Sequence, residues 1–196
     1  MAPLPYANSG ARIAFYIPLV VFALLELRLR LRTAVNRQGV RSDRGSFFVI
    51  YISIVAAMLG GFALAGVHGA AIRAARWPIF VVGVALMATG IAIRQWAILL
   101  LGKLFTTDVR VHSDQQVIDS GPYRWVRHPS YTGLLMIFAG IGLALGNWAA
   151  LAALLLLPAS GLVYRIRVEE RALAEGLGEP YRRFAAGRAR LVPRVW

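Results

Sequence analysis

Apolar residues fall into long blocks along this chain. The first runs from Ile13 to Leu25 and extends to Leu31, because the arginines that follow can lay their stems along apolar surface. The second, Phe47 to Val67, carries no charge, and the third, Trp77 to Leu101, is interrupted by Arg94 and Gln95. Each is long enough for the about 20 residues of a spanning helix. Tyr131 to Leu145 and Trp148 to Tyr164 are shorter, reaching roughly 22–26 Å against a hydrocarbon core of about 30 Å. Gly146–Asn147 between them reads as a turn, so they predict a tight helical hairpin in a locally thinned bilayer, with Pro158 kinking its second arm.

Beyond Tyr164, the residues Val168, Leu173, Leu177, Tyr181 and Phe184 keep near-helical spacing among arginines and glutamates. They predict an amphipathic tail helix on the membrane surface from Arg165 to Arg188, broken near Gly176–Gly178 and restarted at Pro180. The expected fold is all-α, a polytopic membrane bundle of about five transmembrane helices in a single domain. Residues 1–101 hold the three N-terminal spans, and residues 102–196 hold a loop, the hairpin and the tail.

Composition agrees with that pattern: 58% of the 196 residues are hydrophobic and 16% charged, where a soluble domain carries about a quarter. The net charge of +13 comes from arginines that flank the apolar blocks. Arg28, Arg30, Arg32, Arg37, Arg41 and Arg44 follow the first block, whereas only Arg73 and Arg76 lie between the second and third. Lys103, Arg110, Arg124 and Arg127 precede the hairpin, and Arg165, Arg167, Arg171, Arg182, Arg183, Arg188, Arg190 and Arg194 fill the tail. The positive-inside rule then puts the first loop, the third loop and the tail in the cytoplasm and the N-terminus outside. It accounts for the charge without nucleic acid, for which no binding motif is present. The chain has no cysteine, and His68, His112 and His128 are scattered, so thiolate chemistry is excluded and a zinc site is not expected. The opening "MAPLPYANSGAR" lacks a basic signal region, so the first block is expected to stay as an anchor.

Polar and aromatic chemistry concentrates in "SGPYRWVRHPSYTG", Ser120 to Gly133. Pro122 and Pro129 stop helix formation on their N-terminal sides, which predicts a structured loop entering a helix at about Ser130. One reading is an interfacial belt, with Tyr123, Trp125 and Tyr131 at headgroup level and Arg124 and Arg127 on phosphates. The other is a ligand site: helix-start N–H groups beside His128 suit an anion, and the aromatic rings suit a cation. In "YRIRVEERAL", Arg165 and Glu169 are four apart on one helix face, which suits a surface ion pair, but Arg165 emerges directly from an apolar block. Arg94 lies inside the third block, where a charge either serves a function or snorkels. "LGGFALAG" reads as close helix packing through small residues. No dinucleotide fingerprint, phosphate loop or catalytic triad pattern occurs.

"GPYRWVRHPSYTG" and "VEERALAEGLGEPYRRF" together resemble the isoprenylcysteine carboxyl methyltransferase family of S-adenosylmethionine-dependent membrane enzymes. The resemblance covers roughly Gly102 to Phe184. It implies that Tyr123, His128, Pro129, Ser130 and Tyr131 form a cofactor-binding loop, that Val117 and Ile118 line the cofactor, and that Glu169 contacts it. Arg165 matches the arginine that orients the substrate carboxylate. Gln115 departs from the pattern, standing at a cofactor-side position where some members have histidine. The implied substrate is a lipophilic amphiphile reached from the membrane, with the carboxylate of an isoprenylated cysteine as the family's namesake. Alternatives are a phospholipid amine or a small thiol, which would need deprotonation by His128 or Glu170, a nicotinamide-dependent membrane reductase, and a non-enzymatic lipid-binding protein.

Overall fold

The computed structural model of the chain describes all residues except 1, 36–39, 42–44, 106–109, 112–116 and 194. A short turn of helix, α1 (Leu4–Ala7), precedes α2 (Ser9–Val35), α3 (Ser46–Leu64) and α4 (Arg76–Leu101). After the loop come α5 (Pro129–Leu145), α6 (Trp148–Leu177) and α7 (Glu179–Ala186). The strands β1 (Val40–Arg41) and β2 (Arg110–Val111) pair antiparallel, with Val40 opposite Val111.

Helix ends differ from the apolar blocks in instructive ways. The Asn8 side chain accepts from the Ala11 N–H at 2.9 Å and caps α2, so this helix starts ahead of its apolar residues. It then runs to Val35, which places Arg28, Arg30 and Arg32 on the helix instead of in the first loop. The fifth block does not stop at Tyr164, and this corrects the expectation of a separate surface helix from Arg165. Helix α6 continues without a break for 30 residues, past Pro158 and Arg165 to Leu177. Nothing between Tyr164 and Arg171 breaks a helix, and Arg165, Glu169 and Glu170 find partners inside the bundle. The predicted interruption is present: Gly178 has φ +61°, and α7 restarts immediately after it.

The loops sort to two faces. Pairing of β1 with β2 holds the first and third loops together. On the opposite face the Ile72 N–H donates to Gly146 O at 2.8 Å, and Arg76 Nη2 donates to Ala2 O at 2.7 Å. Asn147, fully buried, donates to Val67 O at 2.9 Å and accepts from the N–H groups of Ala149 and Ala150. The N-terminus, the second loop and the hairpin turn therefore share one face.

Glycine sets the closest helix contact. Gly83 and Gly90 on α4, and Gly133 and Gly140 on α5, are each seven residues apart, and they meet crosswise. A Cβ on Gly133 would lie 2.5 Å from Gly90 O, and one on Gly83 would lie 2.6 Å from Ala144 N. Gly61 of "LGGFALAG" packs on Leu154 of α6 in the same manner. Around these contacts Phe15, Met87, Ile137, Phe138, Ile141, Leu154 and Leu162 form the main core. Ile13, Ile17, Leu24, Ile52, Leu59, Val81 and Leu156 face outward, an inverted surface that suits lipid. Helices α2, α3, α4 and α6 are long and apolar enough to cross a membrane, and α5, at 17 residues, is apolar but shorter. The chain is an integral multi-pass membrane protein.

Gly133→Ala should lower stability by roughly 1–3 kcal/mol through overpacking against α4 backbone. Gly66→Ala, whose new Cβ would meet nothing within 4 Å, should leave it unchanged. Thermal unfolding of both variants in detergent compares them.

Candidate functional site

The loop that enters α5 is shaped from both sides. Gly121 has φ +57°, and a Cβ there would run into Leu100 of α4. Pro122 then opens a turn of tight helix, Gly121–Arg124, that buries Tyr123. The next residues run parallel to the C-terminal segment, bridging at Val126 and Ala189. Arg127 N–H donates to Ala189 O at 2.9 Å and His128 N–H to Arg190 O at 3.0 Å. Thr132 Oγ1 donates to Leu191 O at 2.7 Å. Pro129 is the first residue of α5, and His128 is its N-cap. Trp125 stays 53% exposed beneath the Arg124 guanidinium, as an interfacial anchor would.

Helix α6 presents adjacent carboxylates to two different partners. Glu170 accepts from Arg127 Nη1 at 2.7 Å and from Arg190 Nε at 3.0 Å, and faces His128 Nε2 at 3.3 Å. Glu169 accepts from the Tyr131 hydroxyl at 2.7 Å. That hydroxyl in turn accepts from Arg165 Nε at 3.3 Å. Arg165 is buried, and its Nη1 donates to Ser46 Oγ at 2.9 Å at the start of α3. The expected surface ion pair is replaced by a buried arginine joined to Glu169 through a tyrosine.

A second buried guanidinium stands nearby. Arg94 meets Glu26 of α2 through both ends of the fork, at 2.6 and 2.9 Å, and donates to Ser130 O at 3.2 Å. It is therefore paired within the bundle and does not snorkel. Arg94, Glu26, Arg30, Tyr131 and Arg165 form the polar end of a cavity of about 360 Å³. Leu19, Phe22, Ile50, Ile54, Met58, Leu134 and Phe138 line the apolar remainder. On the other side of Tyr131, a small second core joins Tyr123, Tyr181 and Phe184 to Val117, Ile118, Leu173 and Leu177. Burial first, then the Glu169 charge, pushes the Tyr123 hydroxyl well above the usual tyrosine range, so it stays protonated and donates to Ala97 O at 3.3 Å.

The sequence-predicted residues thus divide. Arg165 and Glu169 are joined through Tyr131, while Tyr123, Val117 and Ile118 share the second core. His128 turns toward Glu170 and stacks on Tyr131, with ring centroids 5.6 Å apart. Its carbonyl already accepts from the N–H groups of Tyr131 and Thr132, so the helix start offers less to an anion than the sequence suggested. Pro129 and Ser130 form the first turn of α5, and Gln115 lies outside the described residues. Among the described residues no cluster suits a metal ion. Glu26, Ser46 and the strap Arg188–Leu191 were not foreseen. For Glu26 a signal existed, since an acid inside an apolar block calls for a partner.

The fold and the site define a multi-pass helical membrane protein with a buried arginine–tyrosine–glutamate relay at the polar end of an apolar cavity. Residues 82–175 match the isoprenylcysteine carboxyl methyltransferase (ICMT) family, so the resemblance carried by the two motifs is borne out. The chain is 32% identical over 111 residues to a probable protein-S-isoprenylcysteine O-methyltransferase of Oryza sativa subsp. indica, covering 56% of this chain and 58% of that protein. It is 30% identical over 121 residues to protein-S-isoprenylcysteine O-methyltransferase A of Arabidopsis thaliana, covering 61% of each. The solved structure of a eukaryotic intramembrane Ras methyltransferase ICMT superposes with a TM-score of 0.62 at 26% identity, over 74% of this chain and 52% of that one. The chain therefore spans about three-fifths of the length of the plant relatives.

Two outcomes follow from the buried charges. Glu170→Gln should expose the amides of Arg127 and His128 to faster hydrogen exchange while amides of α3 keep their protection. Arg94→Leu alone should cost roughly 3–5 kcal/mol by stranding Glu26, and Glu26→Leu in the same chain should recover most of it. Exchange mass spectrometry and detergent unfolding measure the two effects.

Proposed function

We propose that the protein transfers a methyl group from S-adenosylmethionine to the carboxylate of a lipophilic acceptor such as a prenylated cysteine. The observation that carries this reading is the Tyr131 hydroxyl, shared by Arg165 and Glu169 at the polar end of the apolar cavity. The family match and the names of the plant relatives support the acceptor class.

The residues present fit the cofactor. S-adenosylmethionine supplies an electrophilic methyl group on a sulfonium. Half-buried Glu169 suits its ammonium through charge-assisted hydrogen bonds. Tyr123, Val117 and Ile118 offer an apolar, aromatic wall for an adenine. His128, Pro129 and Ser130 shape the turn that carries Tyr131, and Gln115 is retained as a cofactor-side residue from the family pattern.

On the acceptor side, the apolar cavity takes the lipid chain and Arg165 takes the carboxylate. Ser46 and Tyr131 fix the plane of the guanidinium, which can then hold a carboxylate bidentately and aim one oxygen. A carboxylate is ionised near neutral pH, its ordinary value being about 4, so no general base is required. An amine or thiol would need one, and Glu170 and His128 are already engaged with each other and with Arg127 and Arg190. The arginine-rich face, which carries the loop and the tail, is assigned to the cytoplasm, where a soluble cofactor is available.

Purified protein given radiolabelled S-adenosylmethionine should label a farnesylated N-acetylcysteine in preference to phospholipid amines or small thiols. Arg165→Ala and Glu169→Ala should each lower turnover by about 100-fold or more with unfolding temperatures retained. Label in the amines or thiols alone would sink the carboxylate reading.

A further inference from the structure

The apolar cavity has a fixed point at its polar end. Arg165 donates from Nη1 to Ser46 Oγ at 2.9 Å, so its guanidinium lies level with the first residue of α3. From that level the walls descend along two helices. The lining residues of α3 run from Phe47 to Met58, and those of α2 run in the opposite sense from Arg30 to Leu19. Each set covers eleven positions, about 16 Å of helix. Near the polar end the Arg30 guanidinium lies over the Tyr51 ring, 5.2 Å from its centroid. Beyond Leu19 and Met58 no described residue of either helix lines the cavity.

A pair of aromatic rings closes the space at that depth. Phe15 of α2 meets Phe62 of α3 edge to face, with ring centroids 6.4 Å apart and planes at 73°. Phe15 precedes Leu19 by four positions, and Phe62 follows Met58 by four. Each ring therefore continues the helix face of the last lining residue. Phe15 is fully buried, and Phe138 of α5, 1% exposed, covers the inner side. Gly61, next to Phe62, lets Leu154 of α6 press against α3 at the same level.

Depth along the helices converts into chain length. Met58 lies about 18 Å below Ser46 along α3, and Phe62 about 24 Å below it. An extended isoprenoid repeat of four chain carbons spans roughly 5 Å, and a cysteine adds roughly 4 Å from carboxylate to sulfur, with C–C bonds of about 1.5 Å. Three repeats therefore end roughly 19 Å from the carboxylate, beside Met58. A fourth carries the chain to roughly 24 Å, into the aromatic pair.

We infer that the Phe15–Phe62 pair is the stop that sets the acceptor's chain length, admitting a farnesyl thioether and rejecting a geranylgeranyl one. The inference rests on the methyltransferase reading. It assigns specificity to α2 and α3, which lie outside the matched segment 82–175.

The test is methylation of N-acetylcysteine thioethers carrying geranyl, farnesyl or geranylgeranyl chains by the whole protein in detergent, with radiolabelled S-adenosylmethionine. Wild type should favour farnesyl over geranylgeranyl by about tenfold or more in kcat/KM. Phe62→Ala, which removes half of the stop, should bring that ratio close to one. Met58→Trp, which fills space above the stop, should move the preference the other way, from farnesyl toward geranyl. Each ratio is taken within one protein, so a loss of stability shared by all three acceptors does not shift it. Equal turnover of farnesyl and geranylgeranyl acceptors by wild type overturns the stop and leaves the methyltransferase reading intact. A farnesyl preference that neither variant moves also overturns it, because the limit would then lie elsewhere. Absence of methylated product from all three acceptors overturns the carboxylate methyltransferase reading, and the stop with it.

Discussion

Glu170 accepts from Arg127 and Arg190 and faces His128, and through these partners it ties together three segments that are remote in sequence. They are the loop before α5, the emerging half of α6, and the C-terminal strap. The carbonyls of Arg188, Ala189, Arg190 and Leu191 then receive donors from the loop and the first turn of α5. A carboxylate removed from water must be matched by cations and donors or it costs several kcal/mol. Here the matching groups are the backbone and side chains that fix where α5 begins. The position of Tyr131, and therefore of the Arg165–Glu169 relay, follows from that starting point.

The same rule of paired charge operates deeper in the bundle. Glu26 and Arg94 neutralise each other across α2 and α4, and Arg94 also reaches the Ser130 carbonyl in the first turn of α5. The first turn of α5 is thus held from the loop side by Glu170 and the strap, and from the core side by Arg94. Gly90 and Gly133 allow this, because only without side chains can α4 approach α5 closely enough for Arg94 to reach Ser130. Helix α2 contributes Glu26 and lines the cavity with Leu19 and Phe22, while most of its surface faces outward. The apolar cavity lies between α2, α3 and the tightly packed α4–α5 pair, with the polar wall at one end.

The apolar blocks made the order of the long helices legible, because lipid-facing segments are uniformly apolar whatever their tertiary neighbours. The end of α6 was not legible by that logic. Arg165 marks where the composition changes, but helix propagation ignores composition when backbone hydrogen bonds and buried partners continue. Ser46 and Tyr131 supply those partners, and neither lies near Arg165 in sequence. The motif loop was legible as a loop from Pro122 and Pro129. Its partner strand was not, since Arg188–Leu191 carries no pattern of its own and is used mainly through its carbonyl oxygens. Glu26 could have been anticipated from its place in an apolar block.

The adjacent glutamates show why a doublet is needed where one acid looks sufficient. Successive residues on a helix point about 100° apart, so Glu169 and Glu170 address different walls of the same crevice. One wall is assembled from Arg127, His128 and Arg190, and it absorbs the full charge of Glu170. Among the described residues the other presents the Tyr131 hydroxyl and, through it, Arg165 to Glu169. Exchanging these environments would leave the loop unanchored. The two side chains are chemically identical, so their different partners, Tyr131 for Glu169 and Arg127, Arg190 and His128 for Glu170, follow from geometry.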